Sequence, residues 1–258
     1  MNIFSNSNFL IETAFDMTGA YHMARDLELA EKLRGDPEAS NVLRLYSWKP
    51  YCISLGYQQD DSSIDMEACR DAGVDIIRRP TGGRAVYHAE ELTYAVIMRF
   101  EPSEGIYAVH NKIAESLLYL LQPLCNNELE LTDGRSTQTT DRTSLSIRDV
   151  YKPGTLTNIA CFTSTARYEI TWKGKKVVGS AQRRFGNAVL QHGSILLGDE
   201  HLRLPELLII SEEDKLQMKK MLQNESATVS EICKAQISGE EIAEQIADRM
   251  TPSQVLRF

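Results

Sequence analysis

Arg78-Arg79-Pro80-Thr81-Gly82-Gly83-Arg84-Ala85-Val86-Tyr87-His88 sets two adjacent glycines and three arginines in a loop between segments of strand character. Without a Cβ, a glycine pair lets the backbone approach a ligand closely, and its N–H groups can face an acyl carbonyl or a phosphate. Arg78, Arg79 and Arg84 add three permanent positive charges beside that loop. The plain alternative is a glycine turn with solvated arginines. Outward from this loop, Val74–Arg78 reads as a strand, and Asp65–Ala72 reads as a short helix stopped at Gly73, a normal C-terminal cap. Further upstream, Val42–Trp48 and Cys52–Tyr57 read as strands around a Lys49-Pro50 turn. Before them, Met23, Leu27, Ala30 and Leu33 recur at helical spacing, which predicts a helix over Thr18–Leu33.

Downstream, Leu92–Phe100 is β-rich and partly alternating, so it reads as a strand. Ile106, Val109, Ile113, Leu117 and Leu120 share one helix face. The stretch Asp133–Pro153, polar and rich in Ser and Thr, is the best candidate for a mobile loop. Tyr168–Trp172 and Val177–Gly179 read as strands joined by the Lys173-Gly174-Lys175 turn, followed by a strand over Val189–Leu197. From Ser211 the chain alternates charged and apolar residues in helical fashion, with capping-box spacing at Ser238-Gly239-Glu240-Glu241. Strands and helices mix without strict βαβ alternation. The expectation is therefore an α+β fold with a mixed sheet, one domain over residues 1–258 with a helical C-terminal tail from about 205.

Composition narrows the function. A chain of 258 residues can bury a sizeable core without a disulfide or metal staple. A net charge of −8 argues against nucleic acid, whose phosphates call for a basic face. No run reaches the roughly 18 apolar residues of a membrane span, and the first residues lack the basic start and apolar run of a signal peptide, so a cytoplasmic location is expected. The five cysteines, Cys52, Cys69, Cys125, Cys161 and Cys233, are odd in number and widely spaced, which reads as free thiols and not as a disulfide framework or a metal site.

Three further segments are candidates for chemistry. Lys175-Lys176-Val177-Val178-Gly179-Ser180-Ala181-Gln182 leads a lysine into an apolar strand and then leaves room beside Gly179, Ser180 and Ala181; its alternative is a β-turn with two solvated lysines. In Asn158-Ile159-Ala160-Cys161-Phe162, Cys161 reads either as a small buried hydrophobe or, with a cation nearby, as a nucleophile. In Leu190-Gln191-His192-Gly193-Ser194, His192 reads as a structural histidine or as a donor to a ligand, and His88 is similarly open.

In this order and spacing the segments resemble the lipoate–protein ligase, octanoyltransferase and biotin ligase family. The resemblance runs from Gly19 to about Leu197 through Met23-Ala24-x-Asp26, Leu55-Gly56-x-x-Gln59, Arg79-Pro80-Thr81-Gly82-Gly83, Lys176-x-x-Gly179 and His192-Gly193. Within it the chain looks most like the cysteine-dependent octanoyltransferases that load the glycine-cleavage carrier protein, on Thr81-Gly82-Gly83-Arg84-Ala85-Val86, Ala160-Cys161-Phe162 and Gly179-Ser180-Ala181-Gln182. Ala89 departs from the acidic residue often found after the histidine. The resemblance implies a mixed-sheet catalytic domain with a tunnel for an acyl chain. It implies Cys161 as nucleophile toward an octanoyl thioester on acyl carrier protein, Lys176 beside the thioester carbonyl, and transfer to a lysine of a lipoyl-domain or H protein. Arg79, Thr81, Gly82, Gly83, Arg84, His88, Gly179, Ser180, Ala181 and His192 are the implied substrate-binding residues. No cofactor and no metal are implied. The alternatives are an ATP-dependent lipoate ligase, which would use ATP and Mg and leave Cys161 a bystander, and a catalytically silent module that binds carrier proteins. Arg78, Arg79, Arg84, Arg183 and Arg184, beside the two ligand-facing motifs, are the candidates for a basic docking face for such acidic carriers, Arg79 alternatively pointing into the domain.

Overall fold

Alternation of apolar and polar residues sets the architecture. In the computed structural model, residues 2–5, 9–101, 103–132, 159, 162, 168–250 and, as backbone, 255–257 are described. Cys161 and the expected mobile loop, residues 133–153, lie outside the described residues. The chain runs through β1 (Phe9–Met17), α1 (Gly19–Gly35), β2 (Asn41–Trp48), β3 (Cys52–Leu55), α2 (Met66–Asp71), β4 (Asp75–Arg78), β5 (Val86–His88) and β6 (Glu91–Arg99). It continues with α3 (Ile106–Leu121), β7 (Glu130–Leu131), β8 (Ile170–Trp172), β9 (Lys175–Phe185) and β10 (Ala188–Leu196). A 3₁₀ segment (Asp199–Leu207), α4 (Glu212–Glu225), α5 (Val229–Cys233), α6 (Gly239–Arg249) and β11 (Val255–Arg257) complete it.

The fold is α+β with mixed sheets. The larger sheet has the order β11-β1-β2-β6-β10-β9-β8-β7, parallel at β11-β1-β2 and antiparallel beyond. A second, smaller sheet, β4-β3-β5, carries the glycine loop between β4 and β5. Leu43 and Leu45 of β2, Leu92, Tyr94 and Val96 of β6, and Val189 and Ile195 of β10 face the core cluster that also holds apolar residues of α3 and α6. The intervening positions, Val42, Tyr46, Trp48, Ala95, Ile97, Ala188 and Leu190, face α1 on the opposite side. On β2, β6 and β10 the period of two therefore divides these residues between two cores.

Helix ends follow their caps. Thr18 accepts from the Tyr21 N–H at the start of α1, and Asp65 accepts from the Glu67 and Ala68 N–H groups at the start of α2. Gly73 sits at φ +66 after α2, the left-handed conformation expected of that cap. Ser238 and Glu241 complete a capping box on α6.

Several features depart from the sequence reading. β1 and β7 fall in segments that the pattern left unassigned, and β5 is a strand within what reads as loop. β9 is 11 residues long where three were expected, because Gly179-Ser180-Ala181 is itself strand paired with β10. The C-terminal tail is helical only as far as Arg249; its last described residues add a parallel strand to β1. Among the described residues, no helix is long and apolar enough to cross a membrane.

Candidate active site

Where the two sheets meet, a cavity opens between α1, the end of β2, β3, the glycine loop and the middle of β9 and β10. Tyr46, Thr93, Ser194 and Gly179 are register partners on the adjacent strands β2, β6, β10 and β9, and all four border the cavity. The strands that border the cavity thus span three strand spacings, roughly 14 Å at about 4.8 Å each. Trp48 borders it beside Tyr46.

The polar groups in its walls turn away from it. On one side, Glu91 Oε1 accepts from His88 Nδ1 at 2.7 Å, from Ser194 Oγ at 2.9 Å and from Thr93 Oγ1. Since Nδ1 donates, His88 Nε2 is the acceptor for Ser54 Oγ–H at 2.7 Å, and Ser54 Oγ in turn accepts from Arg79 Nη1 at 3.1 Å. The Trp48 indole donates to Thr93 Oγ1 at 2.6 Å and stacks on His88 at 4.1 Å. On the other side, Asp26 takes His192 Nδ1 at 3.2 Å and the Arg44 guanidinium, and Arg44 also binds Glu12 at 2.8 Å. His192 Nε2 then pairs with Thr81 Oγ1 at 2.6 Å. Burial pushes the Asp26 carboxyl up, but the His192 hydrogen bond and the Arg44 charge hold it below the ordinary carboxylate value. Burial holds His192 below the usual imidazole value despite Asp26, so it is neutral at pH 7. With their heteroatoms bonded to one another, these residues leave largely carbon surface toward the cavity.

The glycine loop is shaped from beneath by Arg79. This side chain is buried and spends its donors on backbone oxygens, those of Ser54 at 2.7 Å, Gly82 at 3.0 Å and Arg84 at 2.7 Å, so it builds the loop instead of presenting charge at the surface. Arg78 likewise binds the Gly56 and Gln59 carbonyls. Gly83 sits at φ +102, and a Cβ at Gly56 would overlap the Gly83 carbonyl oxygen, so both glycines are required by conformation or by close approach. Gln59 clips its own loop through Gly56 N–H and reaches the Ile159 carbonyl at 3.2 Å.

Lys176 arrives by a β-bulge. Ile170 pairs with Val178 but Thr171 pairs with Lys176, so Val177 is an extra residue and both Val177 and Val178 face the α3 core. That extra residue puts Lys176 on the side of Gly179, three positions away, where strict alternation would place it on the opposite face. Phe162 packs its ring against Gly179, and the Lys176 ammonium lies 5.4 Å from the centre of that ring. The lysine is 2% exposed and pairs with Glu169 at 2.7 Å. Lys175 points out and donates to the Gln223 carbonyl at 3.0 Å.

Of the residues implied by the family resemblance, Arg79, Gly83, His88, Gly179, Ser180, Ala181 and His192 border the cavity. Thr81 stands behind His192, and Lys176 behind Phe162. Gly82 is exposed and Arg84 half-buried, and neither borders the cavity. Arg183 is not a free docking charge: its guanidinium donates to the Pro80 carbonyl at 2.9 Å and lies 4.5 Å from the Tyr57 ring, tying β9 to the glycine loop. Arg184 is exposed and donates to the Glu104 carbonyl at 2.7 Å. Asp26, Trp48, Ser54, Glu91 and Thr93 were given no role by sequence reasoning. The available signal was polar residues recurring every second position, Glu91 and Thr93, on one face of an otherwise apolar strand. No group of three or more metal-ligating side chains occurs among the described residues.

Comparison with known proteins fits this geometry. Residues 18–251 match the family model for the lipoyl protein ligase A/B catalytic domain. The chain is 35% identical to an octanoyltransferase LipM of Brevibacillus brevis, over 88% of this chain and 80% of that protein. It is 41% identical to an octanoyltransferase LipM of Moorella thermoacetica, over 60% of this chain and 53% of that one. Among solved structures, a bi-partite lipoate protein ligase from an archaeal lipoylation system of Thermoplasma acidophilum superposes with a TM-score of 0.68 at 15% identity, over 98% of this chain and 86% of that one. A lipoate-protein ligase A bound with ATP superposes with a TM-score of 0.63 at 17% identity, over 97% of this chain and 87% of that one. These two show a shared fold.

Proposed function

Since the chain belongs to the lipoyl protein ligase A/B catalytic-domain family and is an acyltransferase, we propose that it moves an octanoyl group from an acyl carrier protein to a lysine of a lipoyl-carrier protein such as the glycine-cleavage H protein, through a thioester on Cys161. Residues 1–258 act as one catalytic domain in lipoate cofactor biosynthesis in the cytoplasm, with no cofactor, nucleic acid or membrane. The observation that carries this reading is the cavity, whose polar wall residues are bonded to Glu91 and Asp26 and which is bordered by four adjacent strands spanning roughly 14 Å, three strand spacings. An extended octanoyl group, seven carbon–carbon bonds of about 1.5 Å in a tetrahedral zigzag, spans roughly 9 Å and leaves room for the thioester and the terminal methyl radius. The octanoyltransferase relatives support the same acyl length.

The chemistry runs in two balanced steps. The Cys161 thiolate attacks the donor's carbonyl carbon; its C–S bond forms, the carrier's C–S bond breaks, and the carrier thiolate takes a proton from water. The acceptor's neutral ε-amine then attacks the acyl-enzyme; a C–N bond forms, Cys161 leaves as thiolate, and the amine's extra proton passes to solvent. Lys176 stabilises the oxyanion in both steps, and thioester-to-amide transfer is downhill, so ATP is not consumed.

Mass spectrometry after incubation with octanoyl-carrier protein, without ATP, tests this. A stable octanoyl adduct on Cys161, lost in Cys161→Ala, is expected. Product formed only with ATP would instead favour the ligase, and no product under either condition would favour a silent docking module. Lys176→Ala should cost about 2–4 kcal/mol of transition-state stabilisation, the range for losing an oxyanion donor. Lys176→Arg should not restore it, because a guanidinium differs in shape and donor geometry.

A further inference from the structure

We infer that Glu169 is a positioning residue of the transfer reaction, holding the Lys176 ammonium in register with the acyl carbonyl. The inference rests on the proposed role of Lys176. Its basis is how firmly the backbone that carries the carboxylate is placed. Glu169 immediately precedes β8, and Thr132, immediately after β7, clamps its backbone three ways. Thr132 N–H and Oγ1 donate to the Glu169 carbonyl at 3.0 and 3.2 Å, and Glu169 N–H donates to Thr132 Oγ1 at 3.1 Å. The two-residue strand β7 pairs with β8 at Glu130–Thr171 and Leu131–Ile170, which brings Thr132 to that position.

Lys176 is fixed from the other side. Its carbonyl accepts from Ala227 N–H at 2.9 Å, and the bulge beside it sets which face its side chain takes. The ammonium and the carboxylate then meet at 2.7 Å with 2% and 7% of their side chains exposed. A lysine has four rotatable bonds and a compact charge, so on its own it would sample many positions; a rigid acceptor at hydrogen-bond distance selects one. A buried ammonium also needs compensation for lost hydration, and Glu169 supplies negative charge at contact distance. Catalysis by an oxyanion donor falls steeply when the donor is misplaced by about 1 Å, so the partner that holds the donor governs the rate without touching substrate.

Glu169→Gln in the full chain separates this role from a structural one. With octanoyl-carrier donor and lipoyl-domain acceptor, kcat should fall about tenfold or more while KM for both proteins stays within about twofold, the pattern of an interaction expressed in the transition state. Glu169→Asp should recover part of the rate, and circular dichroism should show both variants folded at the assay temperature, with any stability loss from the buried pair read separately from kcat. A kcat unchanged in Glu169→Gln, a loss confined to KM, or no recovery in Glu169→Asp would overturn the assignment. Should the unsubstituted protein make octanoyl-amide only with ATP, the functional proposal fails, and the same kcat comparison with ATP present still decides the role of Glu169.

Discussion

Replacing Trp48 with leucine tests the cavity as a measure of acyl length. Trp48 is 3% exposed, held by its hydrogen bond to Thr93 and its stack on His88. It borders the cavity on one side and, on the other, an open cleft lined by Tyr51, Glu90 and Asp199, so the indole is part of the partition between them. Across bordering strands that span roughly 14 Å, three strand spacings, the proposed octanoyl group extends roughly 9 Å, and four more methylenes add roughly 5 Å of zigzag, which brings a dodecanoyl end into Trp48. Thinning the partition lets the chain continue. At about 0.8 kcal/mol per buried methylene, four give up to about 3 kcal/mol. The ratio of dodecanoyl to octanoyl transfer should therefore rise by up to about two orders of magnitude. Competition between octanoyl-, decanoyl- and dodecanoyl-carrier protein, read by mass spectrometry of the acylated acceptor, measures that ratio. A folded Trp48→Leu protein with the unsubstituted chain-length profile would refute the placement of the floor, and so would an unsubstituted enzyme that takes dodecanoyl as readily as octanoyl.

Other perturbations bear on the walls. Asp26→Ala leaves Arg44 and His192 buried without the carboxylate between them, and should destabilise the protein by about 3–5 kcal/mol in denaturant titration. His22 donates to the Ser47 carbonyl at 2.8 Å, and burial lowers its pKa to about 4. The unfolded chain, with an imidazole near 6.5, therefore binds the extra proton first, and stability should decline as pH falls from about 6.5 to 4, by up to about 3 kcal/mol. His22→Gln should flatten that part of the stability–pH curve, measured by melting temperature in matched buffers. Gly56→Ala would drive a methyl into the Gly83 carbonyl, a backbone contact that no rotamer relieves. A loss of about 1–3 kcal/mol is expected by denaturation, with weaker binding of the acyl donor in steady-state kinetics.

The local physics of the chain was legible from sequence. Apolar recurrence placed α1 and α3, and Asp65, Gly73 and Ser238 marked helix ends through backbone groups within a few residues. The ordered motifs pointed to the family, and several have a mechanical reason in the structure: Gly56 and Gly83 because their backbones touch, Gln59 because it clips its own loop, Gly179 because Phe162 occupies the space of its Cβ. Only the tertiary structure decided the rest. The bulge that turns Lys176 toward Phe162 reverses what alternation predicts, because it depends on the pairing of β8 with β9 and not on residue type. Arg79, Arg84 and Arg183 read alike in sequence as basic residues beside motifs, yet Arg79 is a buried loop-former and Arg183 a tie to Pro80; partners up to 103 residues away along the chain settle that. Asp26 meets His192 across 166 residues, and Trp48 meets Thr93 across 45. A buried polar group must find a partner, but its sequence neighbours do not say which one, since strand order and register bring that partner into reach.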